Sequence, residues 1–144
     1  MLQKTFLRPD SMWKRAVNGR FLYSPIVVAR GDDHAHVYIA GQAARDPRTG
    51  AMVGPGDMRA QIRQTCENIK TGLEYVGATF GDVTRSVTYT VDIEEYQRCS
   101  TVRSEYFAAD PPASTLVQIS RLALPEMLVE IEVEAVIEPA RLKV

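Results

Sequence analysis

A surplus of charge is what this chain most plainly lacks. It has 17 Lys and Arg against 18 Asp and Glu, a formal net charge of -1. No Lys/Arg block stands out, which removes the electrostatic footprint of a nucleic-acid binder or an anionic-membrane binder. Cysteine is scarce: Cys66 and Cys99 are the only two. They form no CxxC and no His/Cys ligand spacing, so neither a disulfide scaffold nor a zinc knuckle is indicated. No run approaches the ~18–20 apolar residues of a membrane-spanning helix. The stretch "MLQKTFLRPDSMWKR" has no apolar centre of signal-peptide length. The expectation is a reduced, soluble, cytoplasmic protein. Internal repeats and low-complexity segments are missing too.

What is present reads as one ordinary folded domain. The 144 residues are 45% hydrophobic and 24% charged. A chain of this size buries roughly 70% of its extended surface and needs no staple. Residues 1–20 are weakly patterned apart from an Asn18-Gly19 turn signal, and are read as an N-terminal extension. "FLYSPIVVA" (21–29) is strand-like, with Pro25 arguing for an edge or irregular strand. "HVYIAG" (36–41) predicts its hairpin partner, and 44–57 predicts a long loop. Asp57 is a suitable N-cap for a helix that places Met58, Ile62, Ile69, Leu73 and Val76 on one face and ends near Gly77. "GDVTRSVTYTVDI" (81–93) opens with a turn, and Val87, Tyr89 and Val91 then alternate with Ser86, Thr88 and Thr90 as a strand. Asp92 and Glu95 resemble a capping box that opens a second helix, about 94–108, stopped by "DPPA". "STLVQI" (114–119) and "MLVEIEVEAVI" (127–137) are the last strands. Residues 139–144 form a tail. The order β-β-α-β-α-β-β predicts an α+β fold of two layers, a mixed sheet with two helices on one face.

The last strand carries the sharpest signal. Glu130, Glu132 and Glu134 alternate with Val129, Ile131, Val133 and Ala135, so three carboxylates share one face. The helices cover only the other face. The exposed face of the sheet mixes polar with apolar residues, the pattern of a subunit interface with a cleft.

The runs "YSPIVV…VYIAGQAARDPRTGAMV", "AQIRQTCENIKTGLEYVGATFGDVTRSVTYTVDI", "YFAADPPAST" and "RLALPEMLVEIEVEAV" resemble the RidA/YjgF family of reactive-intermediate deaminases over about residues 21–138. The resemblance implies a chorismate-mutase-like subunit and a homotrimer with one cleft at each subunit boundary. It implies hydrolysis of enamines and imines to keto acids and ammonia without metal or organic cofactor. Position by position, the cleft tyrosine matches Tyr23 and the "SGQ" glycine matches Gly41, with Ala40 for serine. The cleft glutamate of "IEIEA" matches Glu132 in "IEVEA". Departures lie in "DPPAST": Ser114 stands where deaminases carry the substrate-carboxylate Arg, and Leu116 stands where they carry Cys. Ser100 stands where a helix Asn is frequent.

These residues imply a specific chemistry. Arg at 114 would clamp a carboxylate bidentately, and Ser114 offers only a neutral hydroxyl. The expected ligand is therefore larger, less charged or differently placed than 2-aminoacrylate. Arg20 is a candidate replacement cation; Arg121 reads as structural. Glu132 is the expected general base, its pKa raised by burial and by its neighbours, with Tyr23, Gly41, Ser100, Ser114 and Leu116 shaping the cleft. Glu130 and Glu134 read as solvated or salt-bridging charges. His34 and His36 sit on a turn without a third ligand, so no metal site is expected. "GPGD" fails as a phosphate loop because Pro55 has no N–H and Asp57 is anionic. Two rivals remain: a ligand-binding trimer that has lost catalysis, and RNA cleavage, which the charge balance disfavours.

Overall fold

The computed structural model describes residues 1–144. Six strands form one sheet: β1 (Gln3–Leu7), β4 (Ile26–Arg30), β5 (Ala35–Gln42), β6 (Val83–Thr90), β7 (Ala113–Gln118) and β8 (Val129–Ile137). Their spatial order is β1-β4-β5-β8-β6-β7. Every pairing is antiparallel except β6 with β7. That single parallel step requires a crossover, which α2 (Ile93–Cys99) and α3 (Thr101–Tyr106) supply. The α+β mixed sheet follows the sequence reading, with an additional first strand and a second helix that breaks at Ser100 into two short ones.

The long helix α1 (Met58–Val76) has the ends its sequence dictates. Asp57 Oδ1 accepts the Ala60 N–H at 3.0 Å. Gly77, at φ 90°, closes the C-terminus, with Ala78 N–H donating to the Leu73 carbonyl. Met58, Ile62, Cys66, Ile69, Leu73 and Val76 are buried against the sheet. Each such aliphatic side chain contributes about 1.5–3 kcal/mol relative to exposure. On β8, Val129, Ile131, Val133, Ala135 and Ile137 face the helices and are buried. Glu130, Glu132 and Glu134 face away, as alternation requires.

Strand β6 inverts the usual pattern. Its partners Ser86↔Val133, Thr88↔Ile131 and Thr90↔Val129 put the hydroxyl row on the helix side, where all three are buried. Val87 and Tyr89 lie opposite Glu132 and Glu130 on the other face. Thr90 settles its hydroxyl on the Leu128 carbonyl at 2.9 Å, and Ser86 accepts from Arg103 at 2.6 Å.

The N-terminal residues are more structured than their weak pattern suggests. β1 extends the sheet on β4, and Met12 is buried against Gly72 of α1. Strands β2 (Ala16–Val17) and β3 (Arg20–Phe21) form a small hairpin. Its turn is Asn18-Gly19, both at positive φ (51° and 74°), the type I′ geometry this dipeptide favours. The strand expected over 21–29 begins only at Ile26, just after Pro25.

Candidate functional site

The site is built where β5 leaves its regular register with β8. Ile39 pairs with Val133 and Gln42 with Ile131, so Ala40 and Gly41 together oppose Glu132 alone. The irregularity turns Gly41 toward Glu130. A Cβ at Gly41 would overlap the Glu130 carboxylate, with Cδ at 3.0 Å and Cγ at 3.1 Å. Only glycine leaves the carboxylate this seat.

Above this seat lies a pocket of about 340 Å³ lined by Trp13, Arg15, Leu22, Tyr23, Gly41, Arg45, Asn68, Met127 and Glu130, among others. Asn68 of α1 fixes its floor, donating to the Ala43 and Arg45 carbonyls at 3.0 and 2.9 Å. Arg45 donates to the Gly50 carbonyl at 2.8 Å and lies 5.5 Å from the Trp13 ring centroid. Trp13 rests on Gly50, whose φ of 74° and missing side chain make room for the indole. Burial raises the Glu130 pKa, the neighbouring Glu132 charge adds to that, and Arg45 partly offsets it. Burial likewise raises Tyr23, which Arg45 partly counters. A half-buried carboxylate with a raised pKa can take and return protons to a bound molecule.

Within one chain, Glu132 and the Gly41 seat face different hollows. Glu132 is not the carboxylate beside Gly41. It accepts the Tyr89 hydroxyl at 2.9 Å and lines a separate hollow with Tyr38, Arg85 and Glu134. Three glutamates on one strand face are equivalent by alternation. Only the register irregularity on β5 decides which of them meets the pocket. Glu134 approaches Arg85 at 3.6 Å, as its reading as a salt-bridging charge anticipated.

Of the remaining expected residues, Tyr23 and Gly41 come together with Glu130. Ser100, Ser114 and Leu116 do not. Ser100 lies at the break between α2 and α3, its hydroxyl donating to the Gln97 carbonyl at 2.9 Å. Ser114 lies on the edge strand β7 with Ser86 at 3.3 Å, and Arg103 reaches toward it at 3.5 Å. Leu116 packs against the core from the helix side. β7 stands three strand positions from β5, about 14 Å. A cleft that includes both groups is possible only where β7 of one subunit meets the pocket of another. Arg20 is exposed in β3 and outside the pocket lining, and Arg121 turns onto the Leu122 carbonyl. The sequence reading passed over Trp13 and Arg45 and took Glu130 as a solvated or salt-bridging charge. The single Trp of the chain, in an otherwise patternless stretch, was the available signal for the first.

Cys66 and Cys99 are buried, and burial pushes the Cys66 thiol up to about 12, so it is not a ready nucleophile. No helix is long and apolar enough to cross a membrane.

Known proteins share this architecture. The family profile described as Endoribonuclease L-PSP matches residues 14–137. A RutC family protein of Pyrococcus horikoshii is 41% identical over 96 residues, 67% of this chain and 75% of its own. A crystal structure from Thermotoga maritima superposes with a TM-score of 0.80 at 31% identity, covering 94% of this chain and 99% of that one. RidA from the Antarctic bacterium Psychrobacter sp. superposes with a TM-score of 0.76 at 27% identity, covering 92% and 99%. With its sheet, its pocket at Gly41 and a profile match over most of its length, the chain belongs to the Endoribonuclease L-PSP family, the YjgF/RidA family.

Proposed function

We propose that this protein is a hydrolase that converts an enamine or imine, or a related small nitrogen compound, to the carbonyl product and ammonia. The observation that carries the reading is Glu130: a half-buried carboxylate with a raised pKa, seated on Gly41 at the base of a ligand-sized pocket. Water adds to the C=N carbon while Glu130 takes its proton, forming the C–O bond as the C=N π pair moves to nitrogen. Nitrogen is then protonated, the C–N bond breaks, and ammonia leaves as the C=O forms. Imine plus water gives carbonyl plus ammonia, with no change of oxidation state and no metal or organic cofactor in the scheme.

The working unit in this reading is a homotrimer in which β7 of one subunit, with Ser114 and Leu116, borders the next subunit's pocket. Support comes from the sheet face opposite the helices, where Phe6, Tyr38 and Val117 are 56%, 41% and 36% exposed. Ser114 in place of Arg, and a pocket far larger than 2-aminoacrylate needs, favour a bulkier substrate.

The test is ammonia release from imines generated in situ, 2-aminoacrylate and a branched aliphatic imino acid, by wild type, Glu130→Gln, Glu132→Gln and Ser114→Arg. Turnover of the bulkier compound, abolished in Glu130→Gln and largely kept in Glu132→Gln, is the expected result. A wild type inert toward both, yet stabilised on heating by their keto-acid products, would favour the non-catalytic binding trimer instead. RNA cleavage by the same preparation would favour the activity in the family's description.

A further inference from the structure

We infer that Arg45 is the cation that receives the ligand's carboxylate, that Trp13 and Leu22 wall the pocket for an apolar ligand body, and that the site therefore selects bulky aliphatic carboxylates over their neutral counterparts. This rests on the reading that the Glu130 pocket is the ligand site.

Arg45 is held from several sides yet keeps its charge free. Asn68 binds its carbonyl, Gly50 accepts from Nη1 at 2.8 Å, and the Trp13 ring stacks near it at 5.5 Å. It makes no ion pair within 4.0 Å. A guanidinium has five donors, and the Gly50 contact uses one. A fixed, unpaired guanidinium in a pocket is preorganised for a carboxylate, because little side-chain entropy remains to be lost on binding.

Arg103 is the competing cation, since it reaches Ser114, where a carboxylate clamp was expected from the resemblance. Its Nη2 is directed at Ser86 and Ser114, its guanidinium sits 4.2 Å from the Phe107 ring centroid, its Nε is buried without a partner, and it lies on the helix side of the sheet, away from the pocket. Glu130 lies on the opposite face. Arg45 and Glu130 share one pocket within one chain, so a ligand can meet the cation and the carboxylate together.

The pocket wall comes from the N-terminal segment. Met12 is anchored in the core and the β2–β3 hairpin projects beyond it, carrying Trp13 and Leu22 to the pocket mouth. Leu22 N–H donates to the Arg15 carbonyl at 3.1 Å, which closes the base of this hairpin.

The single tryptophan permits a direct assay. Titrating the protein with 4-methyl-2-oxopentanoate and with its neutral amide, while following Trp13 fluorescence and, in parallel, binding heat, measures carboxylate preference without requiring turnover. Wild type should prefer the carboxylate by about tenfold or more, the scale of one charge-assisted pair. Arg45→Gln should erase that preference, Arg45→Lys should keep part of it, and Arg103→Gln should leave it intact. Arg45→Gln should also move the pH profile of any turnover upward. The groups that face Glu130 are Arg45, Glu132, Tyr23 and its cross-strand neighbour Tyr89, with Arg15 on the same pocket wall, and among these Arg45 is the charge that holds the Glu130 pKa down. Retention of the preference in Arg45→Gln, or its loss in Arg103→Gln alone, overturns the inference. Binding that follows the expected pattern without ammonia release supports the inference and removes the hydrolase reading.

Discussion

Replacing Gly41 by alanine isolates the function of the seat from the stability of the fold. Gly41 is not among the glycines at positive φ, so alanine fits its backbone. The one obstruction is the end of the Glu130 side chain, whose Cδ and Cγ stand 3.0 and 3.1 Å from the new Cβ and whose carboxylate overlaps it. Turning that flexible side chain off its rotamer costs about 0.5–1.5 kcal/mol. Against this, alanine restricts the unfolded chain and returns about 0.4–1 kcal/mol. Net stability should therefore change by less than about 1 kcal/mol. Catalysis should not escape so lightly, because a displacement near 1 Å at the reacting group costs on the order of 100-fold. Denaturant melts and initial rates of ammonia release measure the two quantities on the same samples. In a Glu130→Gln background, Gly41→Ala should add no further loss, since the two changes remove one interaction. Full turnover in Gly41→Ala, or two losses that simply multiply, would refute the assignment of Glu130 to the pocket chemistry.

Glu130→Gln should be thermally more stable than wild type at neutral pH. A carboxyl whose folded pKa is raised destabilises the fold as it ionises, so the advantage should fade as pH falls below the ordinary carboxylate range; melting temperatures across pH read this directly. Asp82 behaves oppositely. Burial pushes its pKa up, but the two-pronged pair with Arg141 (2.6 and 2.7 Å) and the Thr79 bonds leave it below the ordinary value. Asp82→Asn should therefore lower the melting temperature at neutral pH, and the gap should close as acid protonates the wild-type carboxyl. Asp57→Ala removes the α1 N-cap and should cost about 1 kcal/mol in urea unfolding while leaving ligand affinity unchanged.

The elements whose ends are written in side-chain chemistry were legible from sequence. Asp57 and Gly77 bracket α1, Asp92 opens α2 through the Glu95 N–H, and Asn18-Gly19 makes its turn. The alternating glutamates were correctly placed on the face away from the helices. Residues 3–7 were not legible as a strand, because an edge strand buried on neither face carries little hydrophobic alternation. The helix break at Ser100 left no mark, since Ser100 itself has helical dihedrals. At the candidate site, the resemblance pointed to Tyr23 and Gly41, which line one pocket. The resemblance singled out Glu132 by motif spacing, which counts residues along one strand. Which carboxylate reaches Gly41 depends on a register step in the neighbouring strand. Arg45 lies in a loop whose path is set by Asn68, twenty-three residues away, and no local pattern records such a tether.

The inverted strand β6 bears on how the chain folds. In most strands the hydrophobic side chains choose the register, because a one-residue slip would turn them out of the core. In β6 that preference points the wrong way: Ser86, Thr88 and Thr90 go inward while Val87 and Tyr89 go outward. A folding chain that obeyed its local apolar bias would dock this strand one residue out of step. Correct alignment must be imposed from both flanks, by β8 on one side and by β7 on the other. The β7 contact in turn waits for the α2–α3 crossover to close a long, nonlocal connection, a step that is intrinsically slow. This strand, next to the edge of the sheet, is thus expected to arrive late, its inward hydroxyls fitting only after its neighbours have already set the frame.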